Sequence, residues 1–198
     1  LTGSMRINQS TNVVKKPLIL IFTCLITFGT NSLSSNQYLM DPMPNKEKAP
    51  DFIMMGMDEK EHTLDGLKGK FVLVNFWATW CTPCKMEMPT LEAIHKRMDN
   101  EKFTVLGIHV GPGPEAIENF LKTNPVSFPI YIDMDMEHNW GIPGLPTTFL
   151  LSPDGEMIYR AVGKRDFSSP DMENFFQGLI IIIFNFFSLK KFQFDLYC

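Results

Sequence analysis

The sequence predicts an α/β domain with a mixed central β-sheet flanked by helices. Residues 71–77 form a continuous apolar run with β-branched members, which is typical of a central strand covered on both faces. Strand-like and helix-like segments alternate after this run, and the series ends in a hairpin with an Asp154-Gly155 turn and a final helix. This succession indicates one domain over residues 49–178.

Each predicted element has its own local signal. Residues 52–57 and 62–64 flank a polar turn and indicate an N-terminal β-hairpin. Thr82 and Pro83 suit the first turn of a helix, since proline tolerates that position. The buried face of this helix is marked by apolar residues at helical spacing, which are Met88, Leu91, Ile94 and Met98. The other predicted elements are a strand at 103–110, a central βα insertion with a helix at 114–121 and a strand at 128–132, a helical turn at 136–140, strands at 147–151 and 157–163, and a helix from Ser169-Pro170.

Residues 1–35 carry a targeting pattern. We interpret the first four residues, before Met5, as a cloning remnant or an upstream read-through. Two lysines then precede an apolar run at 18–28 and a series of small residues, which is the layout of a secretory signal; an uncleaved membrane anchor is the alternative. Both interpretations predict a periplasmic location or one on the outer face of the cytoplasmic membrane. Residues 36–48 are polar, contain two prolines and are expected to form a linker.

Residues 179–198 form an apolar C-terminal tail with three open interpretations. The tail is a helix or strand packed on the domain, a membrane-surface or aggregation-prone segment, or the product of a shifted reading frame. It is too short to span a membrane comfortably. We prefer the shifted frame and assign the tail no function.

Composition excludes several classes of function. The net charge is −4 and lysine and arginine are scattered, so we expect no nucleic-acid binding. Four cysteines are too few for a disulfide-stapled scaffold, and two of them, Cys24 and Cys198, lie outside the predicted domain. A structural zinc site would need a second Cys/His pair, and the 13 methionines show no dense Met/His repeat for copper. We therefore predict neither a metal nor a cofactor.

Cys81 and Cys84 form a Cys-x-x-Cys pair between a buried strand and a helix, which is a redox arrangement. A helix N-terminus favours an anion and lowers a thiol pKa from about 8.5 into roughly the 3.5–7.5 range. Cys81 at this position is predicted to be the attacking thiolate. Cys84, one turn later, is predicted to resolve the mixed disulfide, and Pro83 stiffens the turn between them.

Two motifs carry a resemblance to a known family. The run Trp-Cys-Thr-Pro-Cys-Lys-Met-Glu-Met-Pro at 80–89 and the segment Gly-Leu-Pro-Thr-Thr-Phe-Leu-Leu at 144–151 resemble thioredoxin-fold thiol–disulfide oxidoreductases of the TlpA/ResA type. That group is related to redoxin and AhpC/TSA proteins. The resemblance covers roughly residues 47–178 and implies a thioredoxin fold with an N-terminal hairpin and a central βα insertion.

The resemblance also implies roles for individual residues. It implies a cis peptide before Pro146, for which Pro143 is the competing candidate, and pairing of the Leu145 backbone with an incoming peptide. It implies that Glu87 moves protons to or from the second cysteine; the alternative is a first-turn acid that stabilises the helix dipole. Trp80 and Pro83 are expected to contact the substrate protein.

The expected function is reduction of disulfides in exported proteins, with electrons supplied by a membrane thiol-reducing partner. By resemblance, the substrates are apocytochromes c or the copper-site cysteines of oxidase subunits, and we expect a monomer with N-terminal membrane association. A thiol peroxidase is one alternative, but Ala78 stands where its Thr-x-x-Cys motif needs threonine. A non-enzymatic copper chaperone using the two cysteines and His138 is the other.

Overall fold

The central sheet of this protein has eight strands, and its longest two lie side by side in the middle. The computed structural model describes residues 39–50, 53–111, 113–133 and 140–195, with side chains through residue 184. The strands are β1 (Asp41–Pro42), β2 (Met54–Gly56), β3 (Glu61–His62), β4 (Phe71–Trp77), β5 (Phe103–Val110), β6 (Ile130–Asp133), β7 (Thr147–Leu151) and β8 (Met157–Val162), in the spatial order β1-β8-β7-β4-β5-β6-β2-β3.

The sheet is mixed, as predicted. Strand β4 pairs in parallel with β5 and antiparallel with β7, while β5 pairs in parallel with β6. All seven residues of β4 are buried, which explains why six of them are apolar, because both faces of a central strand are covered. The hairpins β2–β3 and β7–β8 are antiparallel, and these pairings confirm the two hairpins expected from the sequence.

The longer helices in the described ranges are α1 (Thr82–Arg97), α2 (Pro114–Thr123) and α3 (Pro170–Asp195), and a short 3-10 helix lies at Leu64–Leu67. One face of the sheet packs against α1, α2 and α3, through a cluster that includes Leu73, Leu91, Val105, Ile117 and Phe176. The opposite face carries a second cluster around Val74, Phe76, Ile108, Trp140 and Phe149. The predicted α1 and insertion helix are confirmed, and the predicted helical turn at 136–140 lies mostly outside the described residues.

The predicted linker over 36–48 requires a correction in its second half. Asp41 and Pro42 form strand β1 and pair antiparallel with Arg160 and Tyr159 of β8. Met40 is buried in the core. The physical reason is that β8 would otherwise leave a row of unpaired backbone groups at the sheet edge, and β1 covers it.

The predicted boundary after residue 178 also requires a correction, because α3 continues across it to Asp195. Ile180 is buried in the core, and Leu179, Ile183 and Phe184 pack against it. The first part of the tail therefore forms a helix on the domain, which was the first of the three interpretations. Within the described residues, no helix is both long enough and apolar enough to cross a membrane.

Candidate active site

Cys81 and Cys84 are joined by a disulfide at the start of α1, with their Cα atoms 5.3 Å apart. Cys81 is the N-cap of the helix, and its Sγ accepts a hydrogen bond from the backbone N–H of Cys84 at 3.3 Å. Thr82 and Pro83 fill the first helical positions, as predicted. The Cys81 sulfur thus lies where free N–H groups and the helix dipole stabilise negative charge.

The two cysteines differ in exposure. Cys81 is 6% exposed, whereas Cys84 is 1% exposed and lies on the buried side of α1. Both residues are buried, and Cys81 is the less deeply buried of the two. The division of roles between an attacking and a resolving cysteine stays a prediction.

The loop before β7 reaches the same end of the sheet. The Leu145–Pro146 peptide bond is cis, as the resemblance implied, and Pro143 is not in a cis bond. Thr147, the next residue, pairs with Phe76 near the end of β4, so Pro146 lies at the end of the sheet that leads into Cys81. Leu145 is half-buried, and Pro146 O accepts a hydrogen bond from Gly163 N at 2.8 Å, which ties the loop to the end of β8.

Glu87 lies one helical turn after Cys84 and is 1% exposed. Its Oε1 accepts from Asn75 Nδ2 at 2.8 Å, and its Oε2 accepts from the Arg165 backbone N–H at 2.7 Å. Burial raises the pKa of Glu87 to about 7, although these hydrogen bonds and the positive charges of Arg165 and Lys164 oppose the rise. A buried carboxyl that titrates near neutrality can accept or release a proton during thiol chemistry.

The alternative role of Glu87, a first-turn acid on the helix dipole, does not fit this position. The first turn of α1 contains no acidic residue, and the Glu87 carboxylate points into a hydrogen-bonded site. Asn75 extends this site, since its Nδ2 also donates to Thr148 Oγ1 at 2.9 Å. A polar chain thus connects α1 through the middle of β4 to the strand that follows Pro146.

The surface around the cysteines is partly apolar. Trp80 is 71% exposed directly before Cys81, and Pro83 and Met86 are also exposed. Trp77, in contrast, is fully buried at the end of β4, as expected for a core residue. Contact of Trp80 and Pro83 with a substrate protein stays a prediction.

The turn that leads to Cys81 is held by a side chain that the sequence did not single out. The Thr79 backbone N–H donates to His109 Nε2 at 3.1 Å, and His109 Nδ1 lies 3.2 Å from Gly111 O. Burial lowers the pKa of His109 below its usual value, so the ring is neutral at pH 7.

Sequence reasoning missed four residues of this site: Asn75, His109, Thr148 and Arg165. A signal was present for two of them, because Asn75 and His109 interrupt strands that are otherwise almost entirely apolar, and buried polar residues are more informative than buried apolar ones. The contact from Arg165 is made by its backbone, which no side-chain pattern could show.

Metal ligation is not evident in this part of the molecule. Across the described ranges, no group of three or more His, Cys, Asp or Glu side chains is placed to hold a metal ion. His138, named for the copper-chaperone alternative, lies outside the described residues.

Comparison with known proteins agrees with this geometry. A family profile described as AhpC/TSA matches residues 46–160. The thiol-disulfide oxidoreductase ResA of Bacillus subtilis (strain 168) is 36% identical over 117 residues, which are 58% of this chain and 65% of that protein. ResA of Bacillus cereus (strain ZK / E33L) is 29% identical over 67% of this chain and 77% of the Bacillus cereus protein. The match therefore spans less than two thirds of the Bacillus subtilis protein.

Comparison with solved structures indicates similarity to the same group of proteins. A putative thiol:disulfide interchange protein DsbE from Chlorobium tepidum superimposes with a TM-score of 0.61 at 25% identity, over 71% of this chain and 97% of that one. A thioredoxin-family thiol:disulfide interchange protein from Chlorobium tepidum TLS gives a TM-score of 0.56 at 31% identity, over 64% and 94%. With a thioredoxin fold, a Cys-x-x-Cys pair at a helix N-terminus and a family profile over more than half of its length, the chain belongs to the AhpC/TSA family and is of the TlpA/ResA type.

Proposed function

We propose that this protein is a thiol–disulfide oxidoreductase that reduces disulfides of other proteins. The observation that carries the proposal is the Cys81–Cys84 disulfide at the N-terminus of α1, with Cys81, the less buried residue of the two, at the N-cap where a thiolate is stabilised. Relatives named thiol-disulfide oxidoreductase and thiol:disulfide interchange protein support it.

The reaction starts from the reduced pair. The Cys81 thiolate attacks one sulfur of a substrate disulfide, forms a mixed disulfide and releases the other substrate sulfur as a thiolate, which takes up a proton. The Cys84 thiolate then attacks Cys81 Sγ and releases the second substrate thiol. The substrate gains two electrons, and the pair becomes the disulfide of the structure.

Glu87 serves the second step in this proposal. Cys84 must lose its proton before it attacks, and its sulfur is buried. A carboxylate one helical turn away, with its pKa raised to about 7 by burial, is a base of suitable strength in a site with little water. The same carboxyl would return the proton when the pair is reduced again.

The proposed substrate surface consists of Trp80, Pro83, Leu145 and Pro146. The loop with Pro146 and the turn with Trp80 lie at the same end of the sheet, and Trp80 offers an exposed aromatic ring. The backbone at Leu145 is proposed to pair with an extended segment of the substrate, as an added strand does at a sheet edge.

Location and partners are part of the same proposal. We place the domain outside the cytoplasm, which the targeting pattern at 1–35 supports. The resemblance to TlpA/ResA-type proteins leads us to propose a membrane thiol-reducing partner, with apocytochrome c or oxidase copper-site cysteines as substrates. Residues 1–48 fused to a reporter that folds only outside the cytoplasm should give reporter activity in bacterial cells. An inactive, cytoplasmic fusion would contradict the proposed location.

The proposed activity is tested by reduction of insulin and of a peptide mixed disulfide, with the Cys81→Ala variant as the control. We expect turnover by the unaltered chain and none by the variant. Peroxide consumption and anaerobic copper titration run in parallel. Rapid peroxide turnover, or tight stoichiometric copper binding without disulfide exchange, would instead support one of the two alternatives.

The reduction potential of the Cys81–Cys84 pair tests the direction of electron flow. A potential lower than that of the substrate disulfide supports a reductase. A potential well above that of the substrate would contradict it and indicate an oxidant.

A further inference from the structure

His109 is a buried titratable side chain that the exchange reaction does not use. It is the seventh residue of β5, pairs in register with Trp77 and is almost completely inaccessible. The rings of Trp77 and His109 form a T-shaped contact, with ring centroids 5.1 Å apart and planes at 88°. A histidine so enclosed is held in one orientation by its neighbours.

The hydrogen bonds of His109 determine its tautomer. The Gly111 carbonyl oxygen can only accept, so Nδ1 must carry the ring proton that it receives. The Thr79 backbone N–H can only donate, so Nε2 must offer its lone pair. Thr79 Oγ1 also lies 3.3 Å from Nε2. Only the neutral Nδ1–H form satisfies the two backbone groups together.

Thr79 lies in the turn that carries the nucleophile. The Cys81 N–H donates to Ala78 O at 3.1 Å, which closes a four-residue turn over Ala78, Thr79, Trp80 and Cys81. This turn joins the end of β4 to the N-terminus of α1 and directs the Trp80 side chain to solvent. The bond to His109 anchors the turn at its second residue.

We propose that neutral His109 is a positioning residue that fixes the Ala78–Cys81 turn, so that Trp80 and Cys81 are presented together to the substrate. The inference rests on the proposed disulfide exchange, to which it adds a determinant of geometry. When the ring gains a second proton, Nε2–H faces the Thr79 N–H and that hydrogen bond is lost. Only the contact with Thr79 Oγ1 can then remain.

We expect the charge of His109 itself, rather than the charges of its neighbours, to control the hydrogen bond to Thr79. Cys81 in the turn is titratable when reduced, and Glu87 on α1 contacts Asn75 on the same face of β4. Asp133 of β6 pairs with Val110, so its side chain lies on the opposite face of the sheet from His109. The charged side chains of α2, next to Phe120, are exposed; they are Glu115, Glu118 and Lys122. Burial lowers the pKa of His109, and the hydrogen bond to Gly111 opposes this.

The test compares three histidine variants of the full chain across pH. His109→Gln keeps an uncharged acceptor near the Nε2 position, and His109→Leu removes it. His95→Gln is the matched control, because His95 is also partly buried, has a lowered pKa and accepts a backbone N–H, that of Val105 at 3.3 Å, but lies at the far end of α1.

We expect His109→Leu to slow reduction of the peptide mixed disulfide about tenfold at pH 7.5, because an unsatisfied N–H disorders the turn. His109→Gln should stay within about threefold of the unaltered chain, since a hydrogen bond to Thr79 is kept. Below pH 6.5 the unaltered chain should lose rate more steeply than His109→Gln, and His95→Gln should follow the unaltered chain throughout.

NMR provides a readout that is independent of activity. Long-range proton–nitrogen spectra at pH 7.5 should show His109 as the Nδ1–H tautomer, with a Thr79 amide proton that exchanges slowly in the unaltered chain and rapidly in His109→Leu. An Nε2–H tautomer, or equal protection in both proteins, would overturn the inference. Identical pH profiles of the unaltered chain and His109→Gln would do so as well. Failure of the unaltered chain to exchange disulfides at all would count against the proposed function, while the NMR result would still decide the role of His109.

Discussion

The two ends of the central strands carry different kinds of buried side chains. At the end that leads into Cys81, the buried positions on the α1 side include the polar residues Asn75 and His109, each with hydrogen-bonded partners. At the other end, the same face carries Phe71 and Phe103, and Phe103 packs on Phe176 with ring centroids 5.1 Å apart. One end of the sheet therefore holds reactive groups in place, and the other supplies apolar packing.

A cavity of about 290 Å³ lies at the end of the sheet away from the cysteines, lined by apolar residues such as Val72 and Leu151 and by charged residues such as Asp65 and Lys68. The cysteines instead lie beside an exposed aromatic side chain. Trp80, Pro83 and Met86 are exposed beside the cysteines, and exposed apolar side chains of this kind suit contact with a peptide.

Removal of the nucleophile should abolish disulfide exchange at the cysteine end without affecting the packing at the apolar end. In Cys81→Ala, we expect disulfide reduction to fall to the uncatalysed background, since Cys84 is the more deeply buried cysteine and does not occupy the N-cap position that stabilises a thiolate. Far-ultraviolet circular dichroism should be unchanged when reduced proteins are compared. Substantial remaining turnover would show that the assignment of the attacking sulfur is wrong.

Removal of a large side chain from the apolar end should lower stability and leave the exchange reaction unchanged. Phe176 is 1% exposed and contacts Phe103 and Phe175, so Phe176→Ala should lower the free energy of unfolding by about 3–5 kcal/mol. Chemical denaturation measures this loss. Under conditions where the variant remains folded, its exchange rate should equal that of the unaltered chain, and a slower rate would mean that the two ends are coupled.

The buried carboxyl makes stability depend on pH. The folded pKa of Glu87 is raised from 4.5 to about 7, so between these values the folded state binds more protons than the unfolded state. This contribution to stability is complete below pH 4.5 and is lost as pH rises through about 7; its full size is roughly 3 kcal/mol. Glu87→Gln should lack this dependence in denaturation curves measured from pH 4.5 to 8.5.

The same substitution should alter catalysis. We expect Glu87→Gln to slow exchange and to change the pH profile of reduction while the domain stays folded. If rate-versus-pH curves of the variant and the unaltered chain coincide, Glu87 has no role in proton transfer.

Asn75 tests whether the polar chain behind the cysteines acts as a unit. Asn75→Ala removes the donor to both Glu87 and Thr148, so we expect a loss of about 1–3 kcal/mol in stability. Because the bond from Asn75 favours the ionised carboxyl, its loss should raise the pKa of Glu87 further above its usual value. Carbon-13 titration of the Glu87 carboxyl measures this, and a lowered pKa would contradict the account.

Local sequence signals predicted most of the fold, and the exceptions have a common cause. The strand at 71–77, the helix after Cys81 and the terminal hairpin were predictable, because apolar period, capping and turn residues lie within a few residues of each other. The pairing of Asp41 with Arg160 joins residues far apart in sequence, and no local pattern in the segment 36–48 indicates an edge strand. The continuation of α3 depends on packing of Ile180, which only the tertiary structure reveals.

The candidate active site was also only partly predictable from the sequence. The cysteines and the cis peptide at Pro146 were expected from motifs and their resemblance to a family. The environment of Glu87 was not, because the donors to its carboxylate come from β4 and from the backbone after β8. Sequence identifies the reactive groups, while the elements packed around them determine their charge and orientation.

The most direct test of the account is to trap the mixed disulfide. In Cys84→Ser the resolving thiol is absent, so a substrate disulfide should leave a stable covalent adduct on Cys81, identified by mass spectrometry of peptides. The matched variant Cys81→Ser should form little adduct on Cys84, since that sulfur is buried. Adducts that form on Cys84 as fast as on Cys81, or on neither, would contradict the assignment of Cys81 as the attacking thiolate.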